Sequence, residues 1–153
     1  MGEVKTEFLF ELAAELATIR DLGQTPMGNR RIAELAGGTF EGPRLRGRIL
    51  PGAGGDWLLI RPDGVFQLDV RVTLEADDGA LIYMTYRGLR HGPDDVMARV
   101  NAGEEVDPSD YYFRTAPFFE TGSEKYAWLN NIVCVAIGRR NEKGPVYRVF
   151  EVL

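Results

Sequence analysis

The residue types best suited to chemistry fall in three segments of this sequence. The first is Tyr111-Tyr112-Phe113-Arg114-Thr115-Ala116-Pro117-Phe118-Phe119-Glu120-Thr121. Strand alternation puts Tyr112 and Arg114 on one face. An arginine in such an aromatic setting either pairs with a carboxylate, for which Glu120, Asp56 and Asp69 are the candidates, or is poised for a carboxylate or enolate oxygen. The second is Tyr126-Ala127-Trp128-Leu129-Asn130-Asn131. Alternation there joins Tyr126, Trp128 and Asn130 on a face that continues into Ile132, Cys134 and Ala136, an interior face. An amide so placed bonds to a neighbouring loop or holds a ligand. The third is Asp56-Trp57, at the end of the glycine-rich loop Pro51-Gly52-Ala53-Gly54-Gly55, where a lid-like contact is expected.

Two chemistries follow. In one, Glu120 or Asp56 exchanges a proton while Arg114, Tyr83 and Asn130 hold an oxyanion, the work of an isomerase, cyclase or lyase that needs no cofactor. In the other, the reading preferred from the sequence because no acid–base pair is visible in it, Trp57, Trp128 and the tyrosines wall a site that binds an aromatic or apolar metabolite without reaction. A third reading is a structural domain whose exposed strand edges form a homodimer.

Other motifs point away from chemistry. Cys134 is the only cysteine, so no intramolecular disulfide forms, and its apolar run Ile132–Ile137 gives it the setting of an inert core thiol. The single histidine, His91, stands before Gly92-Pro93 as an exposed residue at a strand end. The 51–56 loop lacks the Gly-Lys-Ser/Thr ending of a phosphate loop, and Gly37-Gly38-Thr39-Phe40-Glu41-Gly42-Pro43 lacks the strand-then-helix context of a dinucleotide fingerprint. Asp107 and Asp110 around Pro108-Ser109 read as turn-capping groups, and no metal site is expected. Met1-Gly2 with Thr6 meets a loose acylation pattern common by chance.

The elements that must position these groups are strands. Val65–Glu75 alternates Phe66, Leu68, Val70, Val72 and Leu74 with Gln67, Asp69, Arg71, Thr73 and Glu75. Asp77-Asp78-Gly79 then predicts a tight hairpin pairing Val65–Ala76 with Ala80–Gly88. Arg44–Leu50, Trp57–Arg61, Tyr111–Ala116, Tyr126–Gly138 and Val146–Val152 continue the series. Pro93 with Asp94 and Asp95 starts one short peripheral helix that ends near Asn101-Ala102-Gly103. Glu7–Ile19 fits either period: its Ala and Glu content favours helix, whereas an all-β context favours the long strand expected here. About eight such strands must close or pack as two sheets to protect their edges.

The chain of 153 residues is 44% hydrophobic and 27% charged with 18 Gly, the balance of a single globular domain, 1–153. A net charge of −5 without long like-charge runs offers nothing to nucleic acid. No apolar run approaches the ~20 residues of a membrane span, and no signal-peptide order opens the chain, so a cytoplasmic protein is expected.

Gly37–Pro43, Gly55-Asp56-Trp57, Asp77-Asp78-Gly79-Ala80-Leu81-Ile82-Tyr83, Tyr112-Phe113-Arg114 with Phe119-Glu120-Thr121, and Tyr126-Ala127-Trp128-Leu129-Asn130 together resemble domain-of-unknown-function family 3237, a mainly bacterial family. The resemblance spans nearly the whole chain and implies a compact antiparallel β-barrel, broadly like lipocalins or allene oxide cyclase. It also implies that Glu41, Asp56, Trp57, Tyr83, Arg114, Glu120, Trp128 and Asn130 form the lumen or rim. Family members often carry Asn between the Tyr83 strand and Gly88, where this chain has Tyr86-Arg87. The expected partners are a small molecule and a second copy of the chain.

Overall fold

The computed structural model describes residues 2–153. Met1, half of the acylation pattern, lies outside the described residues. Nine antiparallel strands form one ring: β1 (Thr6–Thr25), β2 (Gly28–Glu41), β3 (Arg46–Ile49), β4 (Gly55–Ile60), β5 (Phe66–Ala76), β6 (Leu81–His91), β7 (Tyr112–Glu120), β8 (Val133–Arg140) and β9 (Pro145–Val152). The one α-helix, α1 (Asp94–Asn101), connects β6 to β7. β1 closes the ring by pairing with both β2 and β9. β3 and β4 fill one position between β2 and β5, because β3 pairs with the Gly38–Glu41 end of β2 and β4 with Asn29–Glu34. The barrel therefore has eight staves, a size whose interior either fills with side chains or holds one small ligand.

The expected β5–β6 hairpin is present, with Phe66 opposite Arg90 and Glu75 opposite Leu81. Its turn closes through Gly79 N–H on Ala76 O (2.9 Å) and Asp78 Oδ1 on Ala80 N–H (3.0 Å), with Gly79 at φ +86°, a conformation cheap only for glycine. The apolar face of β5 points inward: Leu68, Val70, Val72 and Leu74 are all buried. β1 is extended despite its helix-forming composition. Its first part, Thr6–Ala13, pairs with β9 and Glu11–Thr25 with β2, the two ladders overlapping at Glu11–Ala13, with bulges near Leu9 and Leu16.

One strand is added and one expectation corrected. Gly28–Glu41, assigned to no strand from the sequence, is the strand β2, and Tyr126–Asn131, read as the start of a strand, is a buried Tyr126 followed by a 3₁₀ turn, Ala127–Asn131. The first was hidden because Gly37 and Gly38 interrupt the alternation. Both sit at positive φ, +142° and +139°, and Gly38 is needed also where β1 comes close: a Cβ there would lie 2.1 Å from Ala13 O. The second fails as a strand because β9 ends opposite Val133, leaving the preceding residues no ladder partner. They turn instead, with Leu129 N–H on Tyr126 O at 3.0 Å.

The barrel interior is divided. At the end holding the β5–β6 turn and the 3₁₀ turn, Phe10, Phe40, Phe119, Leu74, Ile82 and Leu129 pack solidly, with Phe10 5.5 Å from Phe40 and 5.8 Å from Phe119 between ring centroids. At the other end β1 and β2 near Leu16, Ile19 and Arg31, the β4–β5 turn, the β8–β9 turn and α1 surround a mouth. Among the described residues no helix is long and apolar enough to cross a membrane.

Candidate functional site

Behind that mouth lies a cavity of about 660 Å³, the space one small molecule needs. Its walls are largely apolar, Leu35, Leu58, Phe66, Leu68, Val70 and Phe113 among them. Set into them are Asp56 from β4, Tyr86 and Arg90 from β6, Arg140 from β8 and Tyr147 from β9, with Asn101 of α1 at the rim. The five strand residues are placed by strand parity. Arg90 continues the inward row Ile82, Met84 and Tyr86, and Arg140 the row Cys134, Ala136 and Gly138.

Asp56 is the one carboxyl in the inner lumen, since Asp63 and Asp94 lie in the turn and helix at the mouth. The β4–β5 ladder is interrupted beside it: Asp56 pairs with Val70 and Leu59 with Gln67, and between them the Asp69 N–H donates to Asp56 Oδ1 at 3.0 Å. A side chain thus replaces a main-chain acceptor. That anchors the carboxyl by one oxygen and leaves Oδ2 without a hydrogen bond among the described residues. Burial pushes the Asp56 pKa from 3.8 up to about 6, against the Asp69 N–H and the Arg90 charge, which pull it down.

Tyr86 and Tyr147 pack edge to face, ring centroids 5.0 Å apart, and Phe113 stands 5.4 Å from Tyr147. Burial raises both phenols, Tyr86 well above the usual value, so both stay protonated and able to donate. The Tyr147 hydroxyl is buried without a partner. Arg90, 5% exposed, donates from Nη2 to Asn101 Oδ1 at 3.2 Å and stacks on Phe66 at 4.4 Å. Burial, then repulsion from Arg140, lowers the Arg90 pKa to about 10, which leaves it charged at neutral pH. The Nε atoms of Arg90 and Arg140 are buried and unpartnered. This arrangement can exchange a proton at Asp56, donate hydrogen bonds from two phenols and stabilise negative charge with two guanidiniums.

Of the catalytic and ligand-binding candidates named from sequence, Asp56 alone lines this cavity. Trp57 faces outward behind it, with Arg71 5.9 Å from its ring. Tyr83 and Glu120 are exposed and paired across the outer surface of β6 and β7. Arg114 also lies outside, donating to Phe113 O at 2.9 Å and packing 5.2 Å from Tyr112, and it meets none of Glu120, Asp56 and Asp69. Glu41 is exposed where β2 ends, at the closed end of the barrel. Trp128 packs under Arg44 at 4.1 Å, and Asn130 clamps Thr121, accepting from its N–H (2.8 Å) and donating to its O (3.0 Å). These last residues fasten the base of the barrel, far along the strands from the mouth.

Cys134 is fully buried with its thiol pushed up to about 12, and His91 stacks on Tyr112 at 5.0 Å beside the mouth. Asp107 caps its turn, accepting from Ser109 N–H at 2.9 Å. Among the described residues no group of three His, Cys, Asp or Glu side chains is placed to hold a metal ion.

Comparison with known proteins gives the same architecture. The family model described as protein of unknown function (DUF3237) matches residues 4–152. A UPF0311 protein of Bradyrhizobium diazoefficiens is 37% identical over 148 residues, covering 97% of this chain and 96% of its own. The crystal structure of a conserved protein of unknown function from Rhodopseudomonas palustris superposes with a TM-score of 0.94 at 35% identity, over the whole of both chains. A β-barrel-like protein from Acinetobacter baumannii superposes with a TM-score of 0.86 at 39% identity, covering 100% of this chain and 98% of its own. With a match running from just before β1 to the last residue of β9, this chain belongs to the DUF3237 family.

Proposed function

We propose that the barrel is an enzyme that moves a proton on a small, largely apolar molecule held in its lumen, with Asp56 as the acid–base group. The observation that carries this reading is the Asp56 carboxyl itself: half-buried, tied by one oxygen, free at the other, and with a pKa of about 6. A group so tuned holds both protonation states in useful amounts near neutral pH, which a purely structural aspartate does not need. Tyr86 and Tyr147 donate to an oxygen of the substrate as charge develops on it, and Arg90 and Arg140 supply the field that stabilises that charge. The reaction class is isomerisation, cyclisation or elimination by proton transfer, with Asp56, rather than Glu120 and Arg114, at its centre. A carrier would use the same apolar walls. The buried polar groups without partners favour chemistry, since a carrier of apolar cargo gains nothing from them.

Proton transfer can be read without the natural substrate. A panel of aromatic and branched-aliphatic ketones and β-dicarbonyl compounds is incubated with the protein in heavy water, and C–H to C–D exchange is followed by NMR. At least one is expected to exchange faster than in buffer, with a rate that rises through about pH 6 and falls at least ~100-fold in Asp56→Asn. Exchange in Asp56→Asn equal to that of the wild type removes Asp56 from the mechanism. Absence of exchange from every compound that binds leaves the carrier reading in its place.

A further inference from the structure

The lumen holds more positive charge than the protein neutralises. Arg90 is 5% exposed, yet its one hydrogen bond goes to a neutral amide, Asn101, and it lies over the faces of Phe66 and Phe113. Arg140 stands close enough for the two charges to repel. Neither guanidinium has a carboxylate oxygen within the 4.0 Å of an ion pair, and both keep a buried, unpartnered Nε. The nine ion pairs among the described residues all involve other side chains, so a pairing arginine is common on this protein and absent where it would matter most for stability. Two like charges in an enclosed, largely apolar cavity are costly unless something negative sits between them. Arginine's planar fork matches a planar oxyanion.

We propose that the natural ligand of the lumen is an amphipathic monoanion, whose planar oxyanion, a carboxylate or a delocalised enolate, is held by Arg90 and Arg140 while its apolar body lies against Leu58, Leu68 and Val70. This inference rests on the reading of the lumen as a small-molecule site and not on proton transfer by Asp56. The positive pair lies at the inner ends of β6 and β8 nearest the mouth, so the anion sits close to the entrance under α1, and the body points toward Val70 and the packed base. An uncharged hydrocarbon would leave two guanidiniums set against the single Asp56 carboxyl. A dianion would exceed what two arginines beside Asp56 balance.

The test compares isosteres by calorimetry at about pH 8, where both acids used are ionised. The probes are 2-naphthoate and its uncharged partner 2-naphthamide, with 4-hydroxycoumarin as the enolate arm that separates that source from a carboxylate. The proteins are the wild type, Arg90→Met, Arg140→Met and Asp56→Asn. Naphthoate, the coumarin or both are expected to bind the wild type at least ~10-fold more tightly than the amide. Either arginine substitution should erase that preference, and Asp56→Asn, which takes a competing negative charge out of the lumen, should keep or raise it. Equal affinity for anion and amide in the wild type overturns the proposal, as does a preference that survives both arginine variants. If Arg90→Met does not fold, the half-buried Arg140→Met and the isostere comparison decide the matter alone. An equal-affinity result with deuterium exchange intact removes only the anion, whereas no binding of any probe together with no exchange removes the lumen as the site.

Discussion

Asp56 carries the most consequence for a single side chain. Its folded pKa of about 6 lies above the unfolded value of 3.8, so the folded state holds the proton more tightly than the unfolded chain. The cost of the buried charge is full above about pH 6, shrinks as pH falls through the window from 6 to 4, and is gone below it. Its size is up to about 3 kcal/mol from a shift of this magnitude. Asp56→Asn keeps an acceptor for the Asp69 N–H and removes the charge. The variant is expected to be more stable than the wild type at pH 7 by about 1–3 kcal/mol, with the difference fading by about pH 4. Urea melts at a series of pH values measure this, and a variant less stable at pH 7 would mean that the carboxylate is a net structural asset. At this scale the sequence marked Asp56 but not its partners. Arg90 and Arg140 each lie two residues beyond Gly88 and Gly138, where the apolar alternation gives out and the strands expected from sequence end. The strands run on to His91 and Arg140, which carries both arginines inward.

Among the elements, β2 shows how a strand escapes a reading by period. Gly38 sits at φ +139° and a Cβ there would meet Ala13 O at 2.1 Å, so the residue is required twice over, by backbone angle and by the closeness of β1. Gly79, at φ +86° in the β5–β6 turn, has open space around it and is required only by angle. Gly38→Ala is therefore expected to cost more than ~3 kcal/mol and Gly79→Ala about 1 kcal/mol in denaturant unfolding. Comparable losses for the two would show that β1 moves aside from β2 at little cost. β5 and β6 were legible because an Asp-Gly turn and strict alternation agree. The Tyr126–Asn131 segment was not, because its alternation is real in the letters, while the partner strand that would make it a ladder stops at Val152, opposite Val133.

For the molecule as a whole, closure is the governing fact. Every stave is bonded on both sides, and the seam between β1 and β2 joins the two longest strands. A ring has no free edge from which to fray, so local opening breaks two ladders at once. Trp57 lies on the outer face of the half that holds the lumen, and Trp128 at the packed base, which makes the two tryptophans reporters of opposite ends. Unfolding followed by fluorescence in Trp57→Phe and in Trp128→Phe is expected to give coincident, two-state curves once each is scaled for its own stability. A curve for the lumen half that precedes the base by more than its error would show that the wet end opens independently.

By itself the sequence determined what local physics can determine: an all-β chain, a hairpin at Asp77-Asp78-Gly79, a short helix after Pro93, a buried inert cysteine and membership of a family. Those follow from alternation, turn chemistry and burial preference, each set by neighbours a few residues apart. Which face of the staves encloses a cavity, and which side chains meet there, was decided by closure of the ring. Asp56, Tyr86, Arg90, Arg140 and Tyr147 come from four different strands, and only the register between those strands brings them to one end of one lumen. Register is a non-local property, and one residue of slip would turn each of them out to solvent. The same register carries Arg114, Glu120 and Tyr83 to the outer surface and leaves the lumen its own acid and its own two cations.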